Sequence, residues 1–423
     1  MTFLNKVGLG IILLGFNFAC SGPIQDNDKD LLDTNSSVIS PQIESDSGYV
    51  TPITVKGQIP SVNVYVENSG SMYGYVGSGT NSDFRNMVFN FLTDIKISKI
   101  FDSMNLFFIN SKPIFVGTAV DDFVKKLEPN TFKVSGGNSG STDIVEIIKR
   151  VYPNNNTSIL ISDCIFSPGK GHNASEYLVN QQTGIKGFLG QRKNLSKTGI
   201  IIYRMLGNFK GYYYDTVDNK KTYVGIRPYY VWVIGDVESL KMIRNCIESK
   251  MKSLPDKMCI ISNGLANIDY HIVPSGGKYR ISLNDKYAIE KVGKVKTQKG
   301  KKMIVKIEVD YSKLLQDEKY LLDISNYETS DQLYVVDNII KVDNEHFVIT
   351  ISSPVVKIGQ LEVYLKNRVP QWVENCSDSD GGFPNPQDKL QKTYGLSYLI
   401  GGVYDAYTFK NDNLAVMKRT IKK

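Results

Sequence analysis

Histidine is scarce in this chain. Only His172, His271 and His346 occur in 423 residues, and they are scattered, which excludes chemistry built on a histidine cluster. Cysteine is also sparse. Cys20, Cys164, Cys246, Cys259 and Cys376 show no Cys-x-x-Cys spacing, so a structural zinc site is not supported. The chain carries no Gly-x-Ser-x-Gly elbow and no P-loop. No internal repeat is evident. Beyond the N-terminus no run is long and apolar enough to span a bilayer as a helix. A net charge of +7 is a mild excess for this length and gives no reason to expect a nucleic-acid partner.

What is present begins with a targeting segment. Lys6 precedes the apolar run from Val7 to Phe16, and Ala19 precedes Cys20, Ser21 and Gly22. This resembles a bacterial lipoprotein leader. The resemblance implies removal of residues 1–19, a lipid on Cys20 as the membrane attachment, and a place in the cell envelope, at the outer membrane or cell surface. An ordinary secretory peptide cut nearby is the plainer alternative. Residues 20–57 are rich in Asp, Ser, Asn, Pro and Gln and read as a disordered tether. The acidic stretch at 26–30 is similar in character to export signals of Bacteroides-group surface lipoproteins; a solvated linker is the preferred, plainer reading.

From 58 to 252 strands alternate with helices. Val62 to Val66 reads as a buried strand. Phe84, Met87, Val88, Phe91, Leu92 and Ile95 lie on one helical face, capped by Ser82 or Asp83. Met104 to Ile109 and Ser158 to Ser162 are further strands, and Ile144 to Val151 a helix ended by Pro153. Tyr212 to Tyr214 and Tyr223 to Val224 bracket Asp218-Asn219, a hairpin signal. The alternation predicts an α/β fold with a doubly wound, mostly parallel sheet, whose ligands bind beyond the carboxyl ends of the strands.

From 253 to 370 short strands separated by turns predict an antiparallel sandwich. Cys259 to Ile261 and Tyr320 to Ile324 are among the expected strands. Residues 371–423 read as a loop and a helix over Leu390 to Tyr407. Cys246 and Cys259 either form a disulfide, as export permits, or remain buried thiols.

The stretch SVNVYVENSGSM at 61–72 organises the rest. A strand runs into a tight loop carrying Glu67, Ser69 and Ser71, which are oxygen donors suited to a hard cation. Thr142 opens the loop before the second long helix, and Asp163 follows a hydrophobic strand. These three pieces, in this order, resemble the metal-ion-dependent adhesion site (MIDAS) of von Willebrand factor A (VWA) domains. There the first motif is Asp-x-Ser-x-Ser, and a glycine stands where Cys164 stands here. The resemblance implies a VWA domain over 58–252 and Mg²⁺, or Mn²⁺ or Ca²⁺, held by Glu67, Ser69, Ser71, Thr142 and Asp163. It also implies one open coordination position, completed by a carboxylate of a protein partner.

Other candidates read as structure. Asp143 is a helix-start acid. The acidic run at 374–382 lacks the late glutamate of an EF-hand loop. The lysine-rich run at 291–302 reads as a solvated hairpin. No catalytic constellation is visible. A metal-assisted hydrolase of surface polymers and a scaffold with a vestigial metal site are the alternatives to a binding protein.

Overall fold

The computed structural model describes residues 59–77, 83–133, 136, 143–153, 156–250, 255–265, 267–273, 279–282, 285–291, 302–384 and 387–422. The leader, Cys20 and the tether lie outside the described residues, as do Thr142 and most of the lysine-rich run.

The first half contains β1 (Ile59–Glu67), α1 (Asp83–Ile97), β2 (Phe101–Ile109), β3 (Pro113–Gly117), α2 (Val120–Lys125), α3 (Pro129–Phe132), α4 (Ile144–Val151), β4 (Thr157–Ser162) and α5 (Ala174–Gly190). It continues with β5 (Thr198–Tyr214), β6 (Lys220–Asp236), α6 (Val237–Lys250) and β7 (Lys257–Ser262). The sheet order is β3-β2-β1-β4-β6-β5-β7. Strand side chains alternate between two cores. Val62, Val64 and Val66 face α1, α2 and α6. Leu160, Tyr230 and Trp232 face α4 and α5. The protein is therefore α/β, with helices on both faces of a large sheet.

The sheet is mixed. Only β2-β1-β4 is parallel; every other neighbouring pair runs antiparallel. The expected mostly parallel sheet is met only in those three central strands. The physical reason is the hairpin turn at 215–219. Asp215 accepts from the Val217 and Asn219 amides, and the main chain returns directly. Residues 199–204 and 229–234 are thus the inner ends of one long hairpin, paired from Thr198↔Asp236 to Tyr214↔Lys220.

The second half adds β8 (Asp269–Val273), β9 (Tyr279–Ser282), β10 (Asp285–Lys291), β11 (Met303–Asp310), α7 (Glu318–Leu322), β12 (Tyr327–Thr329), β13 (Val335–Lys341), β14 (His346–Ser353) and β15 (Gly359–Lys366). It ends with α8 (Gln371–Asn375), β16 (Ser377–Asp378), β17 (Thr393–Tyr394), α9 (Leu396–Thr408) and β18 (Asn413–Lys422). A five-stranded sheet, β12-β15-β18-β10-β9, and a four-stranded sheet, β13-β14-β11-β8, enclose a third core. Alternate residues Val305, Ile307 and Val309 of β11 point into it.

Several expectations change here. Cys259 to Ile261 belongs to β7 at the edge of the first sheet and not to the sandwich. Tyr320 to Ile324 is not a strand, because Asp317 caps a short helix over it. The lysine-rich run joins β10 to β11, which lie in different sheets, so those strands do not form a hairpin. The pair β10–β18 is parallel. Helix α9 docks on the α/β body through Leu399, Ile400 and Val403, and the chain then returns to the sandwich as β18. Cys246 and Cys259 are free thiols served by opposite faces of the first sheet.

Candidate metal centre

The chain leaves β1 for β2 on one side of it and later reaches β4 on the other. In doubly wound sheets such a reversal is where ligands bind, beyond the carboxyl ends of the strands. Glu67 ends β1 and Asp163 follows β4; register pairs Val66 with Ile161 between them. Both carboxylates are buried, Asp163 at 1% exposure.

Hydroxyl groups hydrogen-bond to each of them. The Ser162 hydroxyl donates to Glu67 Oε2 and itself accepts from the Cys164 amide at 2.8 Å. Ser69 Oγ lies 3.0 Å from Ser71 Oγ, and Ser71 Oγ donates to Asp163 Oδ1 at 3.1 Å. Ser69 stands at the N-cap of the 3-10 turn Gly70–Gly74, yet its side chain makes no capping bond. Its hydroxyl is thereby free for the site. Ser71 is partly exposed and is where this group of hydroxyls reaches the surface.

The loop is pinned from below. Asn68 is fully buried; it donates to the Phe132 carbonyl at 3.2 Å and accepts from Asn110 Nδ2 at 2.8 Å. Asn110 also donates to the Gly136 carbonyl. It is pinned from above by Tyr75, whose hydroxyl donates to the Pro228 carbonyl at 2.5 Å. Tyr75 packs edge-on to Phe209 and Tyr229 of the long hairpin. Cys164 has φ +56°, a left-handed conformation that costs a side-chain-bearing residue energy. That strain falls where the VWA pattern has glycine.

Electrostatics set the site apart. Burial, and then the neighbouring Asp163 charge, push the Glu67 carboxyl up to about 7, against hydrogen bonds from Ser162 and Ser69. Burial raises Asp163 too, opposed chiefly by the Arg227 guanidinium. Arg227, on β6, is 1% exposed, with Nη2 3.9 Å from Asp163 Oδ2. Asp163 Oδ2, and Arg227 Nε and Nη1, have no hydrogen-bond partner among the described residues. An unpaired buried carboxylate oxygen is costly, and a cation ligand is one group that relieves it.

Of the expected ligands, the structure brings together Glu67, Ser69, Ser71 and Asp163; Thr142 lies outside the described residues. Asp143 caps α4 through the Val145 and Glu146 amides. Sequence reasoning missed Ser162, Asn68, Asn110 and Arg227. For Arg227 a signal existed: it is the one charged residue between Val224 and Ile234. Among the described residues no group of three or more His, Cys, Asp or Glu could hold a metal, so any cation here relies on hydroxyls beside two carboxylates. No family model, no curated protein and no solved structure matches the chain.

Proposed function

We propose that this is a VWA-like protein, lipid-anchored in a bacterial cell envelope through Cys20, that binds a protein partner through a divalent cation. Glu67, Ser69, Ser71 and Asp163 would hold Mg²⁺ or Mn²⁺, with Thr142 as the further hydroxyl of the pattern. The order β3-β2-β1-β4 supports a doubly wound origin, since it matches the first four positions of the common doubly wound order, with β3 running antiparallel. The observation that carries the metal is Asp163 Oδ2, buried and without a hydrogen-bond partner among the described residues, on the carboxylate whose other oxygen accepts from Ser71. Hard oxygen donors of this kind suit Mg²⁺, which keeps several waters.

The bound ion supplies a Lewis-acidic point to which a partner's carboxylate binds. The chain's own residues do the rest. Ser162 orients Glu67, Asn68 and Tyr75 hold the loop in place, and Ser71 stands at the mouth. Titration calorimetry with Mg²⁺ or Mn²⁺ tests this: the wild type gives a saturable heat and Asp163→Ala gives none. Identical heats sink the metal site.

A scaffold with a vestigial site is the second reading. The Arg227 charge beside Asp163 favours it, because a guanidinium there stands in for some of the cation's charge. Partner capture from intact envelopes would then survive EDTA. A Cys164 nucleophile gains no support: the thiol, next to Asp163, is buried and held well above its usual range, the wrong direction for that role.

A further inference from the structure

We infer that Arg227 is the residue that makes the metal-loaded rim select a carboxylate, at the expense of affinity for the metal. The inference rests on the metal-site proposal above and assigns the specificity of that same site to a residue outside the ligand set.

The argument starts from charge. Glu67 and Asp163, once ionised, sum with one divalent ion to zero. Such a rim has little net pull on an anion. Arg227 adds a positive charge. The loaded rim then carries a net +1 and attracts an anionic side chain.

Geometry explains how the charge is supplied without blocking the ligand. At 3.9 Å, Nη2 is too far from Asp163 Oδ2 for a hydrogen bond. It compensates the carboxylate through space, and the oxygen stays open to a cation. Ring contacts keep the guanidinium in place in spite of its two unpartnered nitrogens. Its Cζ lies 4.5 Å from the Phe209 ring centroid and 5.0 Å from that of Tyr213, both on β5. A closer arginine would occupy Oδ2, and a freely moving one would leave for water. Position and rigidity both come from the long hairpin, which carries all three residues.

Charge repulsion gives the inference opposite signs in two measurements. Removing the guanidinium relieves repulsion on the incoming ion and so tightens metal binding. It also takes away the surplus charge and so weakens the carboxylate. A purely structural role would weaken both.

The full-length protein is titrated with Mn²⁺, read by water-proton relaxation. The Mn²⁺-loaded protein is then titrated with a short peptide carrying one aspartate, its asparagine counterpart as control. Arg227→Gln should bind Mn²⁺ on the order of tenfold more tightly and the aspartate peptide on the order of tenfold more weakly. Arg227→Lys retains the charge and should stay within about threefold of the wild type in both. Equal or weaker Mn²⁺ binding by a folded Arg227→Gln, or undiminished peptide binding, overturns the inference. If Arg227→Gln does not fold, Arg227→Lys decides: loss of peptide selectivity with Mn²⁺ affinity intact overturns it. A wild type that binds no Mn²⁺ fails the metal site itself, a different result from a metal-binding wild type whose variants do not shift in opposite directions.

Discussion

Gly211 and Gly74 approach so closely that a Cβ on Gly211 would lie 2.6 Å from the Gly74 Cα. Gly211 belongs to β5 and Gly74 ends the turn that carries Ser71, so the hairpin rests directly on the loop after β1. Gly211→Ala should therefore force backbone apart rather than move a side chain. The expected loss is about 1–3 kcal/mol of stability, read by urea unfolding. Weakened Mn²⁺ binding should accompany it, because the displaced turn carries Ser69 and Ser71. An alanine variant with wild-type stability would show that this contact does not hold the loop.

The pH dependence of stability follows from Glu67. Its folded-state value of about 7 stands above the ordinary 4.5, so the folded protein holds a proton that the unfolded chain releases first. This contribution is complete below about 4.5 and is lost as pH rises through about 7. In EDTA, melting temperature should fall across that window, by the equivalent of on the order of 2–3 kcal/mol. Glu67→Gln should flatten the fall. On the proposed metal site, saturating Mg²⁺ should reverse it, since an ion there would bind the ionised carboxylate. A rising profile in EDTA would contradict the burial of this group.

Asn68 holds the loop floor by one donated and one accepted hydrogen bond, both buried. Asn68→Ala should cost about 1–3 kcal/mol, because the Phe132 carbonyl loses its donor. Chemical denaturation measures the loss. Replacement without effect would mean that the loop is held by Tyr75 alone.

The sandwich has its own core, and β18 lies in the middle of the five-stranded sheet. Met417 is fully buried there. Met417→Ala should cost about 2–5 kcal/mol, with Mn²⁺ affinity unchanged, because its core is separate from the two that flank the metal rim. A parallel loss of Mn²⁺ binding would show that the sandwich supports the rim.

Local periodicity made much of the fold legible. All six apolar positions of α1 are buried, and Asp143, expected as a helix-start acid, caps α4. These follow from neighbouring residues, whose spacing a reader of the chain can measure. The hairpin was legible only at its tip. Nothing local says that its two arms run on into the central sheet and turn half of it antiparallel. Likewise β18 gave no sign of its place, because it pairs with strands far away in sequence.

The sequence by itself determined which oxygen donors stand at strand ends, since strand and loop boundaries are set by short-range preferences. It also placed an isolated charge in an apolar strand at Arg227. Only tertiary structure decided that Ser71 reaches Asp163 and that Arg227 faces the same carboxylate at a distance that leaves an oxygen open. Those distances come from the packing of β1, β4 and the long hairpin against one another, and packing between distant segments leaves no fixed spacing in the chain.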